Sequence, residues 1–160
     1  MVKLVPMTDD EFQMYLQYSI QDYAQDHIKG GRWSEEEALQ ESAKEYQGYL
    51  PQGVQTPDNY LYMIEDEKLE KSVGILWVAL REQAAERQAF VYDVKIFDEF
   101  RRRGYATQAF QLLEKKAAEL GAASIGLHVF GHNLPAREMY EKLGYAVTNV
   151  IMRKELDTNP

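Results

Sequence analysis

RRRGYATQAF, Arg101 to Phe110, breaks the pattern of the chain around it. Three arginines run into a glycine, and an apolar helical period starts at once. Ala106, Ala109, Phe110, Leu113, Ala117 and Leu120 share one face, and Gly121 stands where a C-terminal cap belongs. The residues before it, AFVYDVKIF from Ala89 to Phe97, are rich in β-branched and aromatic side chains and read as a strand. A strand that passes through a glycine turn into a helix presents unpaired backbone N–H groups at the positive end of the helix dipole, where a diphosphate binds well. Gly104 has no Cβ to keep an anion off the backbone, small Ala106 leaves the first helical turn open, and the arginines add charge. A solvated basic turn accounts for the same ten residues. The spacing is neither GxGxxG with a following ribose-binding acid nor GxxxxGKS, so dinucleotide and P-loop readings lack their diagnostic residues.

Outward from this stretch the elements alternate. KLVP reads as a short strand, and Thr8 with Glu11 forms a capping box for a helix whose apolar positions include Phe12, Tyr15, Leu16, Ile20 and Tyr23. GGRW, Gly30 to Trp33, ends it; Ser34 with Glu37 repeats the capping signature before a second helix that stops ahead of Pro51. YLYMIE, SVGILWVAL and AFVYDVKIF read as three antiparallel strands separated by charged turns. After the RRRG helix, SIGLHVF reads as a buried strand, and GHNLPAREMYEKLGY holds a short helix with Asn133 at its N-cap, Pro135 in its first turn and Gly144 at its end. YAVTNVIMRKEL closes as a last strand. The order β-αα-βββ-α-β-α-β predicts an α/β fold, a mixed sheet with helices on its faces, as one domain over residues 1–160.

Composition narrows the partners. The net charge of −8 argues against sequence-independent nucleic-acid binding, which rests on Lys and Arg neutralising phosphates. The charge is uneven, about −11 over residues 1–100 and +3 over 101–160, so an anionic ligand prefers the C-terminal part. The absence of cysteine excludes disulfides, thiolate metal sites and cysteine nucleophiles, and points to a reducing cytoplasm. No window has the apolar length of a membrane span or signal peptide, so no membrane partner is expected.

A second constellation is more specific. NLPAREMYEKLGY gives N-x-x-A-x-x-x-Y-x-x-x-G-Y from Asn133 to Tyr145, and Arg101, Arg102, Arg103, Gly104, Tyr105 and Ala106 give R-x-x-G-x-A. With both motifs in this order, the sequence resembles the GNAT superfamily of acyl-CoA N-acyltransferases. The resemblance covers the order of elements from first strand to last. It implies acetyl-CoA as cosubstrate, no metal, direct transfer to a primary amine of a small molecule or peptide, and admits a homodimer. It implies that the coenzyme diphosphate is held at Arg101 to Thr107. It also implies that the pantetheine arm pairs with the backbone of Val94 to Ile96 where two parallel strands part, and that Asn133 and Ala136 lie along the same arm. Tyr140 corresponds to the general acid that protonates the leaving thiolate, a task that suits a phenol with an ordinary pKa of about 10.

The resemblance leaves the base open. Phe90 stands where some relatives carry a glutamate, and His128, inside the L-x-V pattern of LHVFGHN, corresponds to a glutamate used in ribosomal-protein alanine acetyltransferases. An imidazole with a pKa of about 6.5 suits the work. Asp93 and Glu65 are weaker candidates, because strand alternation turns Asp93 away from Val94's face. The first two helices, rich in tyrosine and carboxylate, suit a cationic acceptor. The rival reading is a non-catalytic acyl-CoA-binding module that keeps the loop and lacks a base.

Overall fold

From Val73 to Ala79 seven consecutive residues are buried, which is the signature of a strand covered on both faces. This segment belongs to β3, Lys71–Gln83, the middle of a five-stranded sheet in the order β1-β2-β3-β4-β5, with β1 Val2–Pro6, β2 Asn59–Asp66, β4 Glu86–Ile96 and β5 Ser124–Leu127. The first four strands are antiparallel neighbours and β5 is parallel to β4. The structure, a computed structural model, describes residues 1–159.

Alternation sorts the side chains into two cores. Leu61 and Met63 of β2 with Ile75 and Trp77 of β3 meet Phe12, Tyr15 and Tyr46, which come from α1, Asp9–Lys29, and α2, Ala38–Tyr49. Tyr62, Ile64, Leu76 and Val78 face the other way, toward Phe110 and Leu113 of α3, Tyr105–Glu119, and Tyr140 of α4, Leu134–Lys142. Thr8 caps α1 through the reciprocal Thr8–Glu11 box, and Asn133 accepts from the Ala136 amide at the start of α4. Ser34 and Glu37 make their reciprocal hydrogen bonds as well, in the turn just ahead of α2.

The α/β architecture follows the sequence expectation up to α4, and two features differ. SIGLHVF is paired only from Ser124 to Leu127, because β4 and β5 part after the Val91–Leu127 pair. The expected last strand, YAVTNVIMRKEL, forms no ladder: beyond Tyr145 the segment is exposed and has no regular secondary structure up to Asn159. Its alternating apolar residues give it the capacity to be a strand, but a strand exists only where a second one pairs with it, and periodicity does not say which edge that is.

Candidate active site

The Arg101–Ala106 turn is an uncapped helix start. Gly104 precedes α3 in the left-handed conformation, φ 80°, and no side chain caps the helix. The first internal bond of the helix is Gln108 N–H to the Gly104 carbonyl, so the amides of Tyr105, Ala106 and Thr107 have no intrahelical acceptor. A Cβ placed on Gly104 would meet no atom within 4 Å. Open space above three aligned amides is the cradle an anion needs. Arg102 also has positive φ, 63°, which shapes the same turn. Arg101 is tied down, Nε donating to the Ile96 carbonyl at 3.2 Å and Nη2 pairing with Asp98 at 2.9 Å, while Arg103 sits over Phe100.

A long-range contact with no signal in the sequence holds this helix in place. The Tyr105 side chain turns inward, and its hydroxyl donates to Asp66 Oδ2 at 2.6 Å, while Asp66 Oδ1 accepts the Lys68 and Leu69 amides. The Tyr105 bond and these amides hold the Asp66 carboxyl below the usual carboxylate range. Tyr105 therefore contributes a backbone amide to the cradle and a side chain to its anchor.

β4 carries the second part. Val91 pairs with Val78 and Asp93 with Trp77, so Tyr92 is an extra residue, a β-bulge. Without it, Asp93 would continue the Ala89, Val91 face into the apolar core against α3. With it, Asp93 lies opposite Trp77 on the α1–α2 face. Asp93 and Val94 point to opposite faces, as alternation requires; the cavity, however, opens on the face of Asp93. That cavity, about 480 Å³, is lined among others by Asp93, Tyr46, Trp77, Asp22, Asp26 and Glu45. Val94 and Ile96 send their side chains into the α3 core and leave their backbone beside the gap where β5 has ended.

The Tyr15 hydroxyl donates to Asp93 Oδ2 at 2.7 Å. Burial raises the Asp93 pKa, the Tyr15 bond and Lys95 oppose this, and nearby Asp22 adds to it, leaving the carboxyl at about 6. Tyr140 is buried, edge-on to Phe110 at 5.5 Å and to Tyr145 at 5.9 Å, and its pKa is pushed up to about 12 by burial and then by the charge of Asp93. His128 lies one residue past β5, exposed and edge-on to Phe130, with its pKa lowered by such burial as it has; it does not line the cavity. Glu65 is on the β1 side, paired with Lys3 at 3.4 Å. Asn133 uses its side-chain oxygen for the Ala136 amide, and its NH2 makes no hydrogen bond among the described residues. No sequence signal links Tyr15 to Asp93, 78 residues away; only the bulge and the packing of α1 bring them together.

The acetyltransferase (GNAT) family matches over residues 17–145. The chain belongs to this family. GNAT relatives in Bacillus subtilis (strain 168) include the uncharacterized N-acetyltransferase YdgE, 37% identical over 96% of this chain and 97% of its own, and YycN, 36% identical over 97% and 99%. The crystal structure of YycN, a putative acetyltransferase, superposes with a TM-score of 0.92 at 35% identity, covering 98% of this chain and 99% of that one. A putative acetyl transferase from Pyrococcus furiosus, 22% identical with a TM-score of 0.70, shares the fold over 98% of this chain. The protein is thus a GNAT acetyltransferase, and enzymes of this family use acetyl-CoA. The residues here fit that coenzyme: the open left-handed glycine, the free amides of α3 and the unpaired flank of β4 are the contacts a diphosphate and an amide-bearing arm require. Among the described residues no group of His, Cys, Asp and Glu could hold a metal ion, and no helix is long and apolar enough to cross a membrane.

Proposed function

We propose that this enzyme transfers an acetyl group from acetyl-CoA to the primary amine of a cationic small molecule or peptide, with Asp93 as general base and Tyr140 as general acid. The observation that carries the reading is the Asp93 carboxyl, on the wall of the cavity with a pKa of about 6. A base must be ionised at working pH and still hold a proton well, and a carboxyl raised to this value meets both conditions. Amines arrive as ammonium ions, so a proton must leave before nitrogen can attack; Asp93 accepts it, directly or through a water.

The bound coenzyme supplies an acetyl thioester, whose sulfur needs a proton as it departs. Tyr140, kept protonated by burial and by Asp93, donates from its hydroxyl. The amides of Gly104 to Thr107 hold the diphosphate, Arg101, Arg102 and Arg103 add positive charge, the Val94 to Ile96 backbone aligns the pantetheine arm, and Asn133 and Ala136 flank it. His128 is the second reading for the base, and the variants below separate the two.

The cavity itself favours a cation. Lys95 pairs with Asp22 at 2.6 Å, Arg32 with Glu45 at 2.6 Å and Arg101 with Asp98 at 2.9 Å, which leaves Asp26 and Asp93 as cavity carboxylates without a Lys or Arg partner among the described residues. Tyr23, Tyr46, Tyr49, Trp77 and Tyr92 surround them with aromatic faces. Thiol release from acetyl-CoA, measured across diamines, polyamines, aminoglycosides, amino acids and peptide N-termini, tests the proposal. Turnover restricted to acceptors with a second positive charge supports it; turnover only with neutral or acidic amines refutes it.

A further inference from the structure

One wall of the cavity carries polar groups that Asp93 does not use. Two buried side-chain oxygens have no hydrogen-bond partner among the described residues, those of Tyr145 and Ser19. Tyr145 packs in the α3 core, whereas Ser19, 2% exposed, lines the cavity. Its hydroxyl lies near that of Tyr46 and opposes part of the burial that raises the Tyr46 pKa, yet no hydrogen bond joins the two. A buried hydroxyl that has left water without finding a partner is destabilising, and folded proteins keep few of them. Where one stands on a cavity wall, its partner comes from what fills the cavity.

Ser19 shares its helix face with the two ends of the cavity. At about 100° and 1.5 Å per residue, Tyr15, Ser19 and Asp26 of α1 fall within about 40° of one another, Ser19 about 6 Å past Tyr15 and Asp26 about 10 Å past Ser19. Tyr15 marks one end, because its hydroxyl holds Asp93. Asp26 marks the other: its carboxylate is on the cavity wall, and its one ionic contact among the described residues is the His132 imidazole at 3.6 Å. Lys29 lines the same end without pairing with it. Between the ends stand the rings of Tyr23 and Tyr46, edge-on to each other at 5.7 Å, and aromatic faces attract a cation.

We infer that Ser19 and Asp26 form a distal subsite of the acceptor cavity, and that the acceptor it takes is a linear aliphatic polyamine. One terminal amine reaches Asp93, an internal nitrogen donates its N–H to Ser19 Oγ beside the Tyr23 and Tyr46 rings, and the other terminal ammonium pairs with Asp26. Taking off about 3 Å of contact at each end from the rise of α1 between Tyr15 and Asp26 leaves about 10 Å between the terminal nitrogens. That is the span of a triamine with three- and four-carbon spacers. A short diamine reaches one end only, and a monoamine of any length leaves Asp26 without a cation. The inference rests on Asp93 as the base for the reacting amine; it adds a ruler that measures the acceptor from that point.

Two readouts separate this subsite from the transfer reading. Calorimetric titration of spermidine into the enzyme saturated with coenzyme A reads binding alone. Thiol release from acetyl-CoA, with a series of α,ω-diaminoalkanes and with monoamines of the same lengths, reads transfer. The native enzyme is expected to bind spermidine, and its kcat/KM to rise with diamine length up to a chain of about eight carbons, more steeply than with monoamine length. Asp26→Asn is expected to lower the preference for a diamine over the monoamine of equal length about fivefold, the upper range for a partly exposed ion pair. Ser19→Ala is expected to weaken spermidine binding about tenfold while the melting temperature holds or rises, because the substitution removes an unpartnered hydroxyl. Spermidine binding that both variants weaken, without thiol release, keeps the subsite and refutes the transfer reading. Equal kcat/KM for diamines and monoamines at every length, or spermidine binding that neither variant weakens, overturns the inference; thiol release with monoamines would then leave the roles of Asp93 and Tyr140 standing.

Discussion

Replacing Tyr15 with phenylalanine removes one oxygen and leaves the ring packing of α1 in place, so its effect reads almost purely on Asp93. The Tyr15 hydroxyl donates to the Asp93 carboxylate at 2.7 Å and works against the burial that raises its pKa. A hydrogen bond to a charged group contributes about 1.5–3 kcal/mol, and one pKa unit corresponds to about 1.4 kcal/mol. Loss of the bond therefore moves the Asp93 pKa up by about one to two units from its value of about 6. In the native enzyme a base of that pKa is about 90% ionised at pH 7 and about 10% at pH 5, so kcat falls roughly tenfold between them. In Tyr15→Phe the same fall occurs between about pH 8–9 and about pH 6–7. The assay is kcat at saturating acetyl-CoA and acceptor from pH 5 to 9, with one acceptor throughout so that the amine's own ionisation is common to both enzymes. An acidic limb that stays in place in Tyr15→Phe refutes the assignment of the limb to Asp93.

Asp93→Asn is expected to abolish that limb and lower kcat by about 10²–10⁴-fold, whereas His128→Ala leaves the limb near pH 6; the reverse pattern would transfer the base to His128. Because burial raises the Asp93 pKa in the fold, its contribution to stability is full below the ordinary value of 3.8 and is lost as pH rises through about 6. Asp93→Asn should accordingly gain melting temperature relative to the native chain at pH 8 and not at pH 4, by calorimetry. Tyr140→Phe is expected to lower kcat at least 10²-fold with the acetyl-CoA dissociation constant unchanged, since the proton matters only as sulfur leaves; equal losses in both contradict the role. Tyr105→Phe frees the first turn of α3 from Asp66, raises the KM for acetyl-CoA more than it lowers kcat, and reduces the loss of stability as pH falls through the depressed Asp66 pKa; an unchanged KM would reduce Tyr105 to packing alone.

Local chemistry made most of the framework readable. Capping boxes at Thr8 and Ser34, the glycine at position 104 and the β-branched and aromatic runs of the central strands are short-range signals, and each element they predict is present. The candidate site was legible to the same depth: a helix start without a cap is written in RRRGYA, and the motif around Asn133 and Tyr140 is contiguous. What the sequence hid is long-range. The extra residue at Tyr92, which turns Asp93 out of the apolar core and into the cavity, is set by the pairing of β3 with β4 and leaves no trace in the alternation of either strand. The Tyr15–Asp93 and Tyr105–Asp66 bonds join elements 78 and 39 residues apart. The last strand failed for a related reason, since an apolar alternating segment states that it can pair without stating with what.

The central claim is that backbone amides at the start of α3 hold the coenzyme diphosphate and so aim the acetyl group at the cavity of Asp93. A crystal structure with bound coenzyme A tests it most directly. The account predicts diphosphate oxygens within hydrogen-bonding distance of the Gly104 to Thr107 amides, and the pantetheine arm along Val94 to Ile96. Coenzyme density elsewhere on the protein, with these amides left to water, would contradict it.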